Sequence, residues 1–142
     1  MQVKKLVLQT ALLKALGEFY SSVLELPVQH VLDKELAIKI GSTDLVFSET
    51  KQAKPFYHIA INIPANKIEE ARTWLSNKLK LLRIAEYKSD IADFANWHAK
   101  SVYFYDPAGN ILELIARFDL NNNQTEAFSS KQFLSIIVLH FL

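Results

Sequence analysis

The chain has 142 residues, 50% of them hydrophobic, which suffices for one well-buried domain and is too short for two independent ones. Its 16 basic and 15 acidic residues leave a formal charge of +1, so there is no excess of Lys and Arg to hold nucleic acid. Cysteine is absent, which excludes disulfides, thiolate catalysis and Cys-ligated zinc; any metal has to sit on His, Asp or Glu, and a cytoplasmic location is expected.

The apolar run after Lys4 and Lys5 is broken by Gln9 and Lys14 and has no small-residue cleavage site behind it, so it reads as part of the fold and not as a signal peptide. Residues 10–26 then place Leu12, Leu13, Leu16, Phe19, Tyr20, Val23 and Leu24 at spacings of three and four. That is the period of a helix with one buried face, and Pro27 ends it. Short strands are predicted at 28–32, 35–40 and 44–49, with Gly41-Ser-Thr-Asp as the turn between the last two. A polar stretch, 50–54, closed by Pro55, reads as a linker.

The same order repeats. A strand at 57–63 and Pro64 lead into a helix over 67–80 with Ile68, Ala71, Trp74, Leu75 and Leu79 on one face; Asn66 is the expected cap, with Glu69 completing a capping box. Further strands are predicted at 82–87, 101–105 and 111–117. A loop over 88–100 carries Trp97 and His98, and Asp106-Pro-Ala-Gly-Asn110 has Pro and Gly where turn geometry wants them. The chain is therefore strand, helix and three strands, written twice: an α+β domain over 1–118 with modules at 1–50 and 55–118. Residues 119–132 are polar and predicted to be an exposed connection. The apolar end, 133–142, is about half the roughly 20 residues needed to span a bilayer, so it reads as a strand or docking segment without a visible target. No membrane partner is expected.

Strand side chains alternate between faces. In 57–63, Tyr57, Ile59, Ile61 and Ile63 suit the underside of a helix, which leaves His58, Ala60 and Asn62 on the other face. In 111–117, Leu112 and Leu114 face the helix, and Glu113 lies opposite, between Ile111 and Ile115. A histidine and a glutamate are thus predicted on the non-helix face of one sheet. For His58 the plainer alternative is a strand histidine satisfied by a neighbour; for Glu113 it is an exposed carboxylate at a strand edge, which the flanking isoleucines disfavour.

Three stretches, Phe19-Tyr-Ser-Ser-Val-Leu-Glu-Leu26, Tyr57-His-Ile-Ala-Ile-Asn-Ile63 and Tyr103-Phe-Tyr-Asp-Pro-Ala-Gly-Asn-Ile-Leu-Glu-Leu114, resemble the helix, second-module strand and closing hairpin of vicinal-oxygen-chelate proteins, the glyoxalase, bleomycin resistance and dioxygenase group. The resemblance implies two βαβββ modules curving into a cupped, open mixed sheet that holds a small molecule, often on a divalent metal such as Ni, Mn, Zn or Fe. It places His58 and Glu113 on two family metal-ligand positions, with Glu113 also able to move a proton. The first module departs from the pattern. Aligned through the helices, Lys5 stands opposite His58, Gln9 opposite Asn62 and Val46 opposite Glu113, so half of the ligand set is missing.

Lys5 either faces the cup, where its ammonium could pair with Glu113 in place of a metal, or is solvated at the strand end. Asn62, Trp97, His98, Tyr103 and Tyr105 are the candidate ligand contacts; His98 could act as an acid or base from a closing loop. Tyr57, Tyr87 and Phe94 are further stacking candidates. Three functions follow: a metal-dependent lyase, isomerase or dioxygenase; a metal-free, drug-sequestering binding protein; or the non-catalytic half of a larger assembly. A homodimer is expected, because pairing covers exposed sheet edges.

Overall fold

A computed structural model describes residues 3–141, the side chains of 138 and 139 excepted; Leu142, the last residue of the predicted apolar end, lies outside it. The first module contributes β1 (Lys5–Thr10), α1 (Leu13–Glu18), β2 (Val28–Val31), β3 (Glu35–Ile40) and β4 (Thr43–Glu49). The second contributes β5 (Tyr57–Ile63), α2 (Ile68–Ser76), β6 (Ala92–Phe94), β7 (Ala99–Tyr105) and β8 (Ile111–Arg117), and β9 (Ser135–Phe141) follows. The strands form two mixed sheets, ordered β1-β4-β3-β2 and β6-β7-β8-β5-β9, in which β1 runs parallel to β4 and β5 parallel to β8. Each helix lies on one face of its own sheet. The alternation read in the sequence sets these faces: Ile59, Ile61, Ile63, Leu112 and Leu114 are fully buried under α2, as Leu36, Ile38, Leu45 and Phe47 are in the first module.

Several boundaries differ from expectation for local reasons. The first helix starts late because Thr10 ends β1 and its hydroxyl accepts from Leu12 N–H at 3.0 Å. Beyond Glu18 it widens into a π-turn, Phe19–Val23, and Glu25 then adopts a left-handed φ of 57°, which stops it before Pro27. The wider turn seats both Tyr20 and Leu24 in the core.

The strand predicted at 82–87 is not formed. Residues Ala85–Tyr87 make a 3-10 turn closed by left-handed Lys88, and the pairing partner of β7 is β6, inside the segment predicted to be a loop. Leu81, Leu82 and Ile84 are half-buried; Leu82 N–H donates to Tyr103 O at 2.9 Å and Ile84 makes only an isolated bridge to Ser89, and a short apolar run does not by itself distinguish a strand from a packed loop. Asn66 does not cap α2. Its amide instead exchanges two hydrogen bonds with the backbone of Gln124, at 2.8 and 3.0 Å, which ties down the segment after β8.

That segment is less exposed than its composition suggests. Phe128 and Phe133 pack edge-on against Trp74 of α2, with ring centroids at 5.6 and 6.2 Å, and Ser130 is buried. The apolar end then forms β9, antiparallel to β5, with a bridge from Ile136 to Val3 that joins it to the start of the first module. Among the described residues, no helix is long and apolar enough to cross a membrane.

The closing turn ties the modules together. Asp106 accepts from Tyr20 Oη of the first module and from Asn110 Nδ2, both at 2.8 Å, and also from the backbone of Ala108 and Asn110. Burial, opposed by these donors, holds the Asp106 carboxyl above its ordinary range; burial, then the Asp106 charge, pushes the Tyr20 phenol up too. A carboxyl raised on folding contributes stability that is complete below its unfolded value of about 4 and is lost as pH rises through the folded value. In urea melts across that window, wild type minus Asp106→Asn is therefore expected to decline with rising pH; a flat difference would contradict this account.

Candidate functional site

The non-helix face of the second sheet gathers the polar residues. His58, Ala60 and Asn62 alternate outward along β5, Glu113 pairs with Ala60 across the parallel ladder, and Tyr103 pairs with Glu113 from β7. His58 Nε2 donates to Glu113 Oε1 at 2.8 Å, and Ser101 Oγ donates to Glu113 Oε2 at 2.6 Å. Both carboxylate oxygens are thus engaged in a site that is almost dry, since Glu113 and Ser101 are buried. The Tyr103 ring stands 6.2 Å from that of His58, and its phenol is pushed well above the usual range, first by burial and then by the Glu113 charge. His140 of β9 stacks on the other side of His58, with centroids at 5.7 Å and planes at 27°.

The structure therefore brings His58, Glu113, Asn62 and Tyr103 onto one face, and Tyr105 shares that face at the open end of β7. Trp97 and His98 are elsewhere. Trp97 is 74% exposed on a 3-10 turn, stacked on Phe94 at 5.9 Å, and a hollow of about 340 Å³ beside it is lined by Tyr87, Asp93, Phe94, Asn96 and Trp97. His98 is exposed and left-handed, with φ of 51°, and its carbonyl accepts from Phe118 N–H; it fastens the turn and does not reach Glu113 through a described bond. Phe94 lies on the Ser101 face by register, since it pairs with Ala99. Tyr57 is no wall of this face: it is buried on the opposite one and accepts from Gln9 N–H at 3.2 Å.

Lys5, Val7 and Gln9 are exposed along the first sheet, and Lys5 does not take the place of a metal beside Glu113, whose partners are His58 and Ser101. Ser101 and His140 were not legible as site residues. Ser101 has no sequence signal beyond its parity with Tyr103, and His140 needed the pairing of β9. Among the described residues, no group of three or more His, Asp or Glu converges to hold a metal ion. A catalytic divalent ion generally wants three protein ligands and an open position. With two such residues, and both oxygens of Glu113 already accepting from His58 and Ser101, the donor set falls short of a resident metal.

No family model matches the sequence, and no curated protein matches it. Solved structures do. A glyoxalase/bleomycin resistance protein/dioxygenase from Nocardioides superposes with a TM-score of 0.63 at 17% identity, covering 89% of each chain. A lactoylglutathione lyase from Agrobacterium tumefaciens gives 0.62 at 19% identity, over 79% of this chain and 90% of the other. A fosfomycin resistance protein from Listeria monocytogenes, complexed with Mn(II) and a dihydroxypropylphosphonic acid, gives 0.55 at 17% identity, over 82% and 89%. At such identities the likeness speaks for architecture alone, and it agrees with the hairpin and module repeat: this chain carries the glyoxalase/bleomycin resistance/dioxygenase fold.

Proposed function

We propose that this chain binds a small molecule on the non-helix face of its second sheet without a resident metal ion. The observation that carries this reading is the closed state of Glu113, whose two oxygens accept from His58 and Ser101. A carboxylate held this way is an anchor for His58 and a hydrogen-bonding floor, with Tyr103 and Tyr105 as aromatic flanks. The family's remaining ligand positions, which the module alignment puts at Lys5 and Val46, supply an ammonium and a methyl-bearing side chain, and neither coordinates a cation.

Elemental analysis of the purified protein and titration with Ni²⁺, Mn²⁺, Zn²⁺ and Fe²⁺ test this against a metal-dependent lyase, isomerase or dioxygenase. The proximity of His58 to Glu113 supports that second reading. We expect no stoichiometric ion in wild type, His58→Ala or Glu113→Ala. A near-stoichiometric ion that is lost in both variants would replace our reading with the enzyme. A homodimer belongs to the same proposal, supported by the unpaired outer edges of β2 and β6, and sedimentation should then give twice 16.2 kDa.

A further inference from the structure

The hollow beside Trp97 lies at the outer edge of the second sheet, where β6 is flanked by two 3-10 turns, Ala85–Tyr87 and Ala95–Trp97. Its volume of about 340 Å³ falls within the range of small-molecule sites, about 300–1,000 Å³. Its lining, Tyr87, Asp93, Phe94, Ala95, Asn96 and Trp97, shares no residue with the Glu113 cluster, so it stands independently of the binding reading above.

Aromatic rings form its walls. Phe94 is the middle one, stacked with Trp97 at 5.9 Å and met edge-on by Tyr87 at 6.2 Å. Trp97 is 74% exposed, so one wall is an indole largely open to water. The turns that present these rings are braced. Ile84 N–H donates to Ser89 O across the first turn, and Phe118 N–H donates to His98 O just after the second, both at 2.7 Å. Each turn is closed by a left-handed residue other than glycine, Lys88 and His98, a conformation that persists only where the surroundings enforce it. The hollow is therefore formed before anything enters it.

Its charge is one-sided. Asp93 is the sole charged residue of the lining, is exposed, and makes no salt bridge among the described residues. Lys100, its partner on β7, has its ammonium over the Phe118 ring, 6.0 Å from the centroid. Ring faces are the negative side of an aromatic quadrupole, so rings and carboxylate together favour a cation. A primary ammonium is compact and strongly hydrated and gains little from walls made of rings. A quaternary ammonium has no N–H to satisfy, and its methyl groups meet the rings directly.

We propose that Tyr87, Phe94, Trp97 and Asp93 form a binding site for a small quaternary ammonium ion, with the Trp97 indole as its principal face and Asp93 as its counter-charge. The test titrates the isotope-labelled full chain with choline, with its uncharged isostere 3,3-dimethylbutan-1-ol and with ethanolamine, following backbone amide and indole N–H shifts by nuclear magnetic resonance. Choline is expected to move the Trp97 indole and the amides of 93–97, and to saturate at about a tenfold lower concentration than either of the other two. Trp97→Ala should weaken choline about tenfold, and Asp93→Asn should abolish the preference for choline over the alcohol; both side chains are exposed, so neither change threatens the fold. No shift with choline, shifts outside the hollow, or choline binding unchanged in Trp97→Ala overturns the site. Equal binding of choline and the alcohol overturns the selection for charge. Ethanolamine binding as tightly as choline would mean that Asp93 acts without the rings, and overturns the quaternary class.

Discussion

Phe133→Ala is expected to lower folding stability by about 3–5 kcal/mol. Phe133 is 1% exposed and sits where the segment after β8 meets α2, its ring 6.2 Å from both Trp74 and Phe128. Truncation removes the transfer free energy of a whole ring and leaves a void walled by two aromatics that are themselves held in place, so collapse recovers little. Domains are stable by only about 5–15 kcal/mol, so this loss is a large share of the total. Urea denaturation gives the number. A loss below about 1 kcal/mol would mean that the terminal segment is not seated on α2, and the assignment of β9 to the second sheet would then be in doubt.

Gly41→Ala is expected to cost about 3 kcal/mol, and it acts at the other end of the same contact. Gly41 has a φ of +56°, where an L side chain is strained, and a Cβ built there would lie 2.1 Å from the Leu134 carbonyl oxygen. That oxygen is backbone and cannot swing aside. It accepts from Ser42 N–H at 2.9 Å, while Leu134 N–H donates to Asn62 O at 2.9 Å and Thr43 Oγ1 donates to Val3 O and accepts from Ile136 N–H. Moving Leu134 therefore loosens the first-module hairpin, β9 and the strand that carries Asn62 together. Gly109→Ala is the control. Its φ is +85° but its Cβ would meet nothing within 4 Å, so only the backbone term of about 1 kcal/mol applies. Equal effects at the two glycines in thermal melts would refute the seam as the cause.

These contacts explain which parts of the molecule could be read early. The faces of β5 and β8 were legible because alternation along a strand is a local property: once Ile59, Ile61, Leu112 and Leu114 are assigned to the helix side, His58 and Glu113 have to share the other. The turn at Asp106 to Asn110 was legible for a similar reason, since its residues bond mostly to one another. The second-module strand was misplaced by about ten residues. Which short apolar run pairs with β7 depends on two left-handed residues, Lys88 and His98, that close the neighbouring turns; Lys88 is not a residue type that announces a positive φ, and histidine, though enriched there, adopts it in only a small share of cases.

The site divides the same way. Residue type and periodicity, which depend on neighbours two to four positions apart, determined the two modules and the shared face of His58 and Glu113. The tertiary structure alone decided that Glu113 is closed by Ser101, that His140 stacks on His58, and that Ser135 stands beside Asn62. Each of these joins residues that are adjacent only after strands pair, and the register of β9 is set by its packing at Phe133 and beneath Gly41, which no local pattern encodes.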